Sequence, residues 1–278
     1  MKIGYFGINV GIGGDVDAMV TIARAVEDAG LDSVWTGEHV VLPDPRVPPS
    51  PSEPQTPFLD PLIALSHVAA NTSRIGLGTG IIILPQRNPV VLAKELASLD
   101  VVSKGRLLFG VGAGYLEPEF RAIGAPFVDR GAATDEWLEV IKALWTMDKP
   151  AYEGKYFSFS GIDAQPRPVQ QPHPPIVVGG MSKLAAKRAA RYGNGWYGFM
   201  TDVDRTKRML GWIDEYIAQG LRPDELGPLE ISVTPPVRPS KEAYEQFAGI
   251  GVHRLIPLST ATSPDDTLRF VEGLGQLV

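Results

Sequence analysis

Amphipathic stretches and compact apolar runs alternate along the chain. An amphipathic stretch is repeatedly followed by a short break with glycine and then by an apolar run, as in VTIARAVEDAG–LDSVWTG and LASLDVVSKG–RLLFGVG. Glycine just past a helix suits the left-handed position that ends it, so each unit predicts a helix and a following strand. With KIGYFG, PPIVVGG and LEISVTPP added, the pattern predicts eight strands, each followed by a helix.

The predicted strands are nearly all apolar, which is typical of a parallel sheet covered on both faces. Eight βα units in 278 residues predict an α/β fold, a (β/α)8 TIM barrel forming a single domain over residues 1–278. A doubly wound sheet is the alternative. Two segments interrupt the pattern: a Pro-rich loop insertion after strand 2 at 43–57, and a long excursion between helix 4 and strand 5 at 146–175. The excursion includes EGKYFSF, which predicts a short hairpin.

Composition narrows the functional classes. The net charge is −6 with Lys and Arg scattered along the chain, which argues against nucleic acid and against an anionic membrane as partners. The absence of cysteine excludes disulfides and thiolate chemistry. With neither a signal peptide nor an apolar run near the ~20 residues of a membrane span, the sequence predicts a cytoplasmic protein.

The histidines can be sorted by the end of the barrel at which they fall. TIM-barrel enzymes keep their catalytic groups at the C-terminal ends of the strands. His39 directly follows DSVWTGE, so it is predicted at that end beside Glu38, whereas His253 opens strand 8 at the opposite end. His67 lies inside a predicted helix and His173 lies among prolines before strand 5. Without HxH or HExxH the sequence offers no metal site.

Three alternating glycines follow the fourth predicted strand in GRLLFGVGAGYLEPEF. Gly110, Gly112 and Gly114 have the spacing GxGxG rather than GxGxxG, and residues 116–118 read as a turn rather than a helix start, which argues against a dinucleotide fold. Small residues at the barrel mouth would let a wide, flat ligand approach the backbone. The alternative is that narrow interior layers require glycine for packing, an explanation that suits Gly110 best.

A second glycine motif follows strand 5. Gly179 and Gly180 are followed by Met181 and Ser182, and a helix then begins. Bare backbone N–H groups at a helix start can hold a phosphate, assisted by the helix dipole. An ordinary βα turn also favours glycine and serine, so both interpretations stay open.

Several segments resemble the bacterial luciferase-like superfamily of flavin- and deazaflavin-dependent oxidoreductases. They are MKIGYF, AVEDAGLDSVWTGEH, the run 74–115, RGAATDEWLEVIKALW and PPIVVGGMS. The similarity covers roughly residues 1–200, the run 74–115 is its most specific part, and the branch it resembles most uses coenzyme F420. The resemblance implies a (β/α)8 barrel with the cofactor ring at the C-terminal mouth, and a homodimer formed through outer helices.

The resemblance also implies roles for particular residues. A non-prolyl cis peptide at Gly80–Ile81 would support the back of the ring, and the Glu38–His39 pair would supply the proton donor near its reactive edge. The other cofactor-binding residues implied are those of the strand 4 exit, Gly112, Ala113 and Gly114, and those around the phosphate, Val178, Gly179, Gly180, Met181 and Ser182.

One residue departs from a part of this family. Sugar-phosphate dehydrogenases that use F420 have a glutamate after the strand 4 glycines, where this chain has Tyr115. Tyrosine can donate a hydrogen bond but is a poor general base at its usual pKa of about 10. That dehydrogenase activity is therefore not expected, and Tyr115 is the third candidate catalytic residue.

The implied function is hydride transfer between F420 and a small organic substrate. The surroundings, with Trp35, Trp196 and the loop 43–57, suggest a hydrophobic substrate. The alternative within the superfamily is an FMN-dependent monooxygenase that uses reduced flavin and oxygen and is fed by a separate reductase. Two alternatives involve no redox catalysis. One is a barrel isomerase or lyase acting on a phosphorylated metabolite, and the other is a flavin-binding protein without activity.

Overall fold

The computed structural model describes residues 1–277 as eleven strands and nine α-helices. The strands are β1 (Lys2–Phe6), β2 (Ser33–Thr36), β3 (Gly76–Thr79), β4 (Ile82–Ile83), β5 (Leu107–Gly112), β6 (Tyr152–Glu153), β7 (Ser158–Phe159), β8 (Ile176–Gly179), β9 (Gly195–Phe199), β10 (Glu230–Thr234) and β11 (Arg254–Leu255). The helices are α1 (Val16–Asp28), α2 (Pro61–Asn71), α3 (Pro89–Val102), α4 (Glu117–Ile123), α5 (Arg130–Thr146), α6 (Lys183–Tyr192), α7 (Val203–Ala218), α8 (Lys241–Ala248) and α9 (Pro264–Gly275).

Eight parallel strands close into a barrel. They follow the order β3-β2-β1-β11-β10-β9-β8-β5, and β5 pairs back with β3 to complete the ring. This confirms the predicted (β/α)8 barrel, and closure rules out the doubly wound alternative because an open sheet has two free edges. The short β4 continues the edge of β3 by pairing with β5, and β6 and β7 form the antiparallel hairpin predicted from EGKYFSF. Within the described chain, no helix is both long and apolar enough to cross a membrane.

Aromatic side chains fill the centre of the barrel. The rings of Trp35 and Tyr197 stack with centroids 5.6 Å apart, and both are buried together with Val177 and Ile256. A Cβ added to Gly78 would lie 2.2 Å from the Trp35 ring, so β3 needs glycine where the indole crosses it. The glycine-rich sequence of β3 is therefore partly a packing requirement.

The long excursion at 146–175 is held by two buried carboxylate side chains. Glu136 on α5 accepts hydrogen bonds from the amides of Tyr156 and Phe157 at 2.8 and 2.7 Å, which fixes the hairpin. Asp100 on α3 accepts from the amides of Val169 and Gln170 at 2.8 and 3.0 Å. Pairing each amide with a carboxylate satisfies backbone groups that would otherwise be unpaired, so the excursion needs no core of its own.

The segment after β5 differs from its predicted conformation. Residues 116–118 were predicted to form a turn, but α4 covers Glu117–Ile123 and is followed by Gly124, which has a φ of +77°. Pro118 lies in the first turn of α4, where a missing N–H costs nothing because that N–H has no intrahelical acceptor. The helix α4 is part of the site because it carries Glu119.

Candidate active site

His39 lies at the C-terminal mouth of the barrel, immediately beyond β2, as predicted. Its Nδ1 is 3.3 Å from Oε2 of Glu119, and its Nε2 is 3.5 Å from the hydroxyl of Tyr115. The ring also meets Phe58 edge-on, with centroids 5.4 Å apart. The structure therefore brings two of the predicted catalytic residues, His39 and Tyr115, together and adds a carboxylate that sequence reasoning missed.

Glu119 is buried beneath His39 and carries a negative charge. Its Oε1 accepts a hydrogen bond of 2.6 Å from the Val40 amide. Burial alone would raise the pKa of Glu119, but His39, the Gln86 amide and the Val40 amide hold it below its usual range. Gln86 contributes by proximity, since its side-chain nitrogen and oxygen have no hydrogen-bond partner of ordinary geometry in residues 1–277.

The charge on Glu119 determines the tautomer of His39. A carboxylate only accepts hydrogen bonds, so Nδ1 of His39 carries the proton that points to Glu119. In the neutral form of the ring, the unprotonated nitrogen is then Nε2, on the side of Tyr115. This arrangement orients one lone pair of the imidazole toward the barrel mouth.

Tyr115 is the polar side chain of this group that faces solvent, with 48% of its surface exposed. Burial of the remainder raises the pKa of its phenol, and the charge on Glu119 raises it further. The phenol therefore keeps its proton at neutral pH and can donate a hydrogen bond to a molecule in the mouth.

Glu38, predicted to act with His39, makes its contacts elsewhere. Its Oε2 accepts a hydrogen bond from the Ile83 amide, and its Oε1 accepts from Nε of Arg87 at 2.9 Å and from a second nitrogen of the same guanidinium. Burial raises the pKa of Glu38, while Arg87 and the Ile83 amide act in the opposite direction. Arg87 also bonds Asp60 at 2.7 Å, so the carboxylate of Glu38 joins β4 to the start of α2.

Ile81 covers the top of the barrel core, and glycines make room for it. The Gly80–Ile81 peptide is cis, in agreement with the expectation from the resemblance. A Cβ on Gly112 or Gly179 would lie 2.1 or 2.7 Å from Cδ1 of Ile81, and one on Gly110 would lie 1.7 Å from the Thr79 carbonyl oxygen. The packing alternative therefore accounts for Gly110, and Gly112 and Gly179 give space to Ile81, whose side chain forms the floor of the mouth.

Three other residues predicted to bind the cofactor differ in how far they are buried. Gly114 has a φ of +78°, and its carbonyl accepts a hydrogen bond of 3.1 Å from Nε of Arg130. Ala113 is half-buried beside it. Val178 is fully buried in the layer between strands and helices, so its side chain contributes nothing to the mouth.

The start of α6 presents backbone N–H groups to solvent. Gly180 has a φ of +120°, and its carbonyl accepts a 2.9 Å hydrogen bond from the Trp196 indole. Ser182 caps α6 by accepting from the Ala185 amide at 3.2 Å. In the part of the chain that the structure describes, the amides of Met181, Ser182 and Lys183 have no protein acceptor. These three amides at a helix N-terminus fit an anionic group.

Apolar side chains form the rest of the rim. The rings of Phe6 and Phe199 lie 4.9 Å apart at the ends of β1 and β9, and Phe199 and Met200 are 43% and 41% exposed. Trp35 and Trp196, which suggested a hydrophobic substrate, are both fully buried and do not form this surface. The hydrophobic character of the mouth comes instead from Phe6, Phe199 and Met200.

The chain matches known proteins over most of its length. A family model described as luciferase-like monooxygenase matches residues 1–266. An uncharacterized protein of Mycobacterium tuberculosis is 33% identical over 261 residues, 91% of this chain and 90% of that protein. The oxygenase component of flavin-dependent trigonelline monooxygenase from Acinetobacter baylyi is 32% identical over 164 residues, 58% of this chain and 42% of that protein. The solved structure of an F420-dependent secondary alcohol dehydrogenase with an F420–acetone adduct superposes with a TM-score of 0.79 at 18% identity, covering 98% of this chain and 97% of that one.

Proposed function

Because the chain belongs to the luciferase-like monooxygenase family, we propose that it is an oxidoreductase that binds coenzyme F420 at the barrel mouth. It transfers hydride to or from a small hydrophobic organic substrate. The likeness to an F420-dependent dehydrogenase supports this choice at the level of the fold. The protein supplies binding, orientation and a proton, whereas the cofactor supplies the redox chemistry.

The residues at the mouth fit a planar, phosphorylated cofactor. The amides of Met181, Ser182 and Lys183, which lack protein acceptors within 1–277, would hold the phosphate with the dipole of α6 behind it. Ile81 would support the ring from below, in the space left by Gly112 and Gly179. When bound, the deazaflavin ring would give or accept the hydride, which is one hydrogen with two electrons.

The observation that carries the proposal is the orientation of His39 by Glu119. Hydride addition to a carbonyl carbon must be matched by a proton on its oxygen, and the reverse reaction must remove that proton. Nε2 of His39 faces the mouth and can take up or return one proton, because Nδ1 is held by the carboxylate of Glu119 at 3.3 Å. Tyr115 lies at 3.5 Å from the same Nε2 and would bind the substrate oxygen as a hydrogen-bond donor.

Glu38 takes a positioning role in this proposal. Both of its oxygens are used by Ile83 and Arg87, so the carboxylate would fix β4, which directly follows Ile81, rather than exchange protons with substrate. Glu38 and His39 are adjacent in the sequence, but their side chains have different partners. Glu38 contacts Ile83 and Arg87, whereas His39 contacts Glu119.

The test is a titration of the purified protein with F420 and with FMN, followed by the fluorescence and visible absorption of each ring. We expect a dissociation constant for F420 at least tenfold lower than that for FMN, and no oxygen consumption when the reduced cofactor is bound. Tighter binding of FMN together with oxygen uptake would replace the proposal by the second candidate.

The second candidate is an FMN-dependent monooxygenase fed by a separate reductase. It is favoured by the similarity to the oxygenase component of a flavin-dependent monooxygenase, which extends over 58% of this chain. The same mouth would serve it, because FMN also has a flat ring and a terminal phosphate. In either case we propose a homodimer formed through outer helices, which sedimentation at micromolar concentration would test.

A further inference from the structure

Exposed cations lie on the neighbouring helices α6 and α7, both of which begin at the barrel mouth. Lys183 and Lys187 lie one turn apart on α6, and Arg205 and Arg208 lie on the adjacent helix α7. Nζ of Lys183 is 5.6 Å from the centre of the Trp212 ring. Arg205, Arg208 and Trp212 are spaced three and four residues apart, so they share one side of α7. These four cations form what we call the basic patch.

The basic patch is not neutralised by the protein. All four side chains are exposed, and over residues 1–277 none of them forms a salt bridge. The nearest acidic residues in sequence are Asp202, which caps α7, and Asp204, in its first turn. A local excess of positive charge in a chain of net charge −6 indicates an anionic ligand at this surface.

The position of the patch indicates which anion it meets. Lys183 directly follows Ser182, whose amide belongs to the group assigned to the cofactor phosphate, so the patch extends that site outward across α6 and α7. Coenzyme F420 continues beyond its phosphate into a lactyl group and a chain of γ-linked glutamates with one carboxylate or more per residue. FMN ends at the phosphate.

We propose that the basic patch binds the oligoglutamate tail of F420, an inference that rests on the proposed function. The tail carries several negative charges on a flexible chain, and four unpaired cations along two helices match it without requiring a shaped pocket. Ion pairs between these cations and the tail carboxylates would be exposed to solvent, so each contributes little to the binding free energy. Their combined contribution depends on ionic strength.

The experiment compares F420 bearing its glutamate tail with F420-0, which lacks the glutamates, by fluorescence titration of the intact protein. We expect the tailed form to bind about tenfold more tightly at ~0.02 M salt, and the difference to disappear near ~1 M salt. The double variant Arg205→Gln/Arg208→Gln should lose most of this difference while binding F420-0 as the wild type does. Lys142→Gln/Lys149→Gln, which removes the same charge in the last turn of α5 and just beyond it, is the matched control and should keep the difference.

The outcomes separate the tail proposal from the function on which it rests. Equal dissociation constants for tailed F420 and F420-0 in the wild type, or a tail preference that survives in the arginine variant, would overturn the tail proposal and leave F420 as the cofactor. Failure of both deazaflavins to bind, with FMN binding normally, would overturn both.

Discussion

At the N-terminal end of the barrel, Arg254 is buried between Asp32, Ser232 and Glu230, with its Nε 2.6 Å from Asp32. At the C-terminal mouth, the His39 side chain is largely enclosed but has one ring nitrogen directed at an exposed phenol. The amides of Met181 and Lys183 likewise lack acceptors in the described chain. One end of the barrel satisfies its polar groups internally, and the other leaves some of them available.

Polar groups that stabilise this fold are thus separated in space from polar groups that are available to a ligand. A charge with all its partners inside the protein contributes to the folded state and gains nothing from a ligand. A donor or lone pair left open at a partly buried position has already lost some of its water, so a bound molecule can restore the missing hydrogen bond. Substitutions at the two ends should therefore affect different measurements.

The largest effect is expected at the mouth. His39→Ala removes the group proposed to move the proton, so turnover should fall by about 10²–10⁴ while the dissociation constant of the cofactor stays within about threefold. The measurement is the oxidation rate of reduced cofactor with an activated ketone or enone as acceptor, across pH. The exposed His67 is the control, and His67→Ala should leave the rate unchanged. Near-normal turnover in His39→Ala would contradict the assignment.

The next largest effect is expected at the opposite end. Arg254→Met removes the cation between Asp32 and Glu230, leaving their carboxylates partly buried and facing each other, which should lower the free energy of unfolding by about 2–4 kcal/mol. Urea denaturation measures it, and cofactor affinity should not change.

Lys2 provides a matched control because it pairs with the same Glu230 at 3.1 Å but is half-exposed. Lys2→Met should therefore cost well under about 1 kcal/mol. An equal loss of stability in the two variants would mean that burial does not distinguish these ion pairs.

A smaller effect is expected for the carboxylate that orients His39. Glu119→Gln keeps the shape of the side chain but removes its charge, so the imidazole is held less firmly in the tautomer with Nδ1 protonated. Turnover should fall by about 10–10²-fold, and its pH dependence should shift with it. Glu117→Gln, at an exposed position two residues earlier on α4, should change neither. A rate loss with an unaltered pH profile would indicate a purely structural role for Glu119.

The barrel and the position of His39 could be predicted because they follow from local patterns. Apolar runs alternate with amphipathic stretches, and a residue just beyond a strand falls at the mouth of any (β/α)8 barrel. Glu119 was missed for a local reason too. A proline one residue into a segment is compatible with a turn and with the first turn of a helix, and only the packing of α4 decides between them.

The other differences depend on contacts between distant segments. Glu38 is 49 residues from its partner Arg87 in the sequence. The sequence around His39 therefore does not reveal that Glu38 bonds Arg87 and the β4 amide of Ile83. Gly112 and Gly179 lie on different strands and are both required by the one side chain of Ile81. Sequence patterns predicted that these glycines matter, but the reason is a three-way packing that no linear pattern contains.

The smallest expected effect concerns a titratable group at the N-terminal end. His173 is buried before β8, where its Nδ1 contacts the Pro174 carbonyl at 2.8 Å and its ring packs near Trp145. Burial lowers the pKa of His173, and the Pro174 carbonyl opposes this only in part. The unfolded chain therefore binds a proton more readily than the folded one between the depressed folded pKa and the usual value of about 6.5.

The stability provided by neutral His173 should be complete above about pH 6.5 and should decline as the pH falls from that value toward the folded pKa. The contribution of a single proton to the slope is at most about 1.4 kcal/mol per pH unit. Urea denaturation between pH 5 and 8 should show a flatter pH dependence for His173→Asn than for the wild type, because asparagine cannot take up the proton. His67→Asn, at an exposed position, should follow the wild-type curve. Parallel curves for wild type and His173→Asn would show that His173 is protonated as easily in the folded protein as in the unfolded chain.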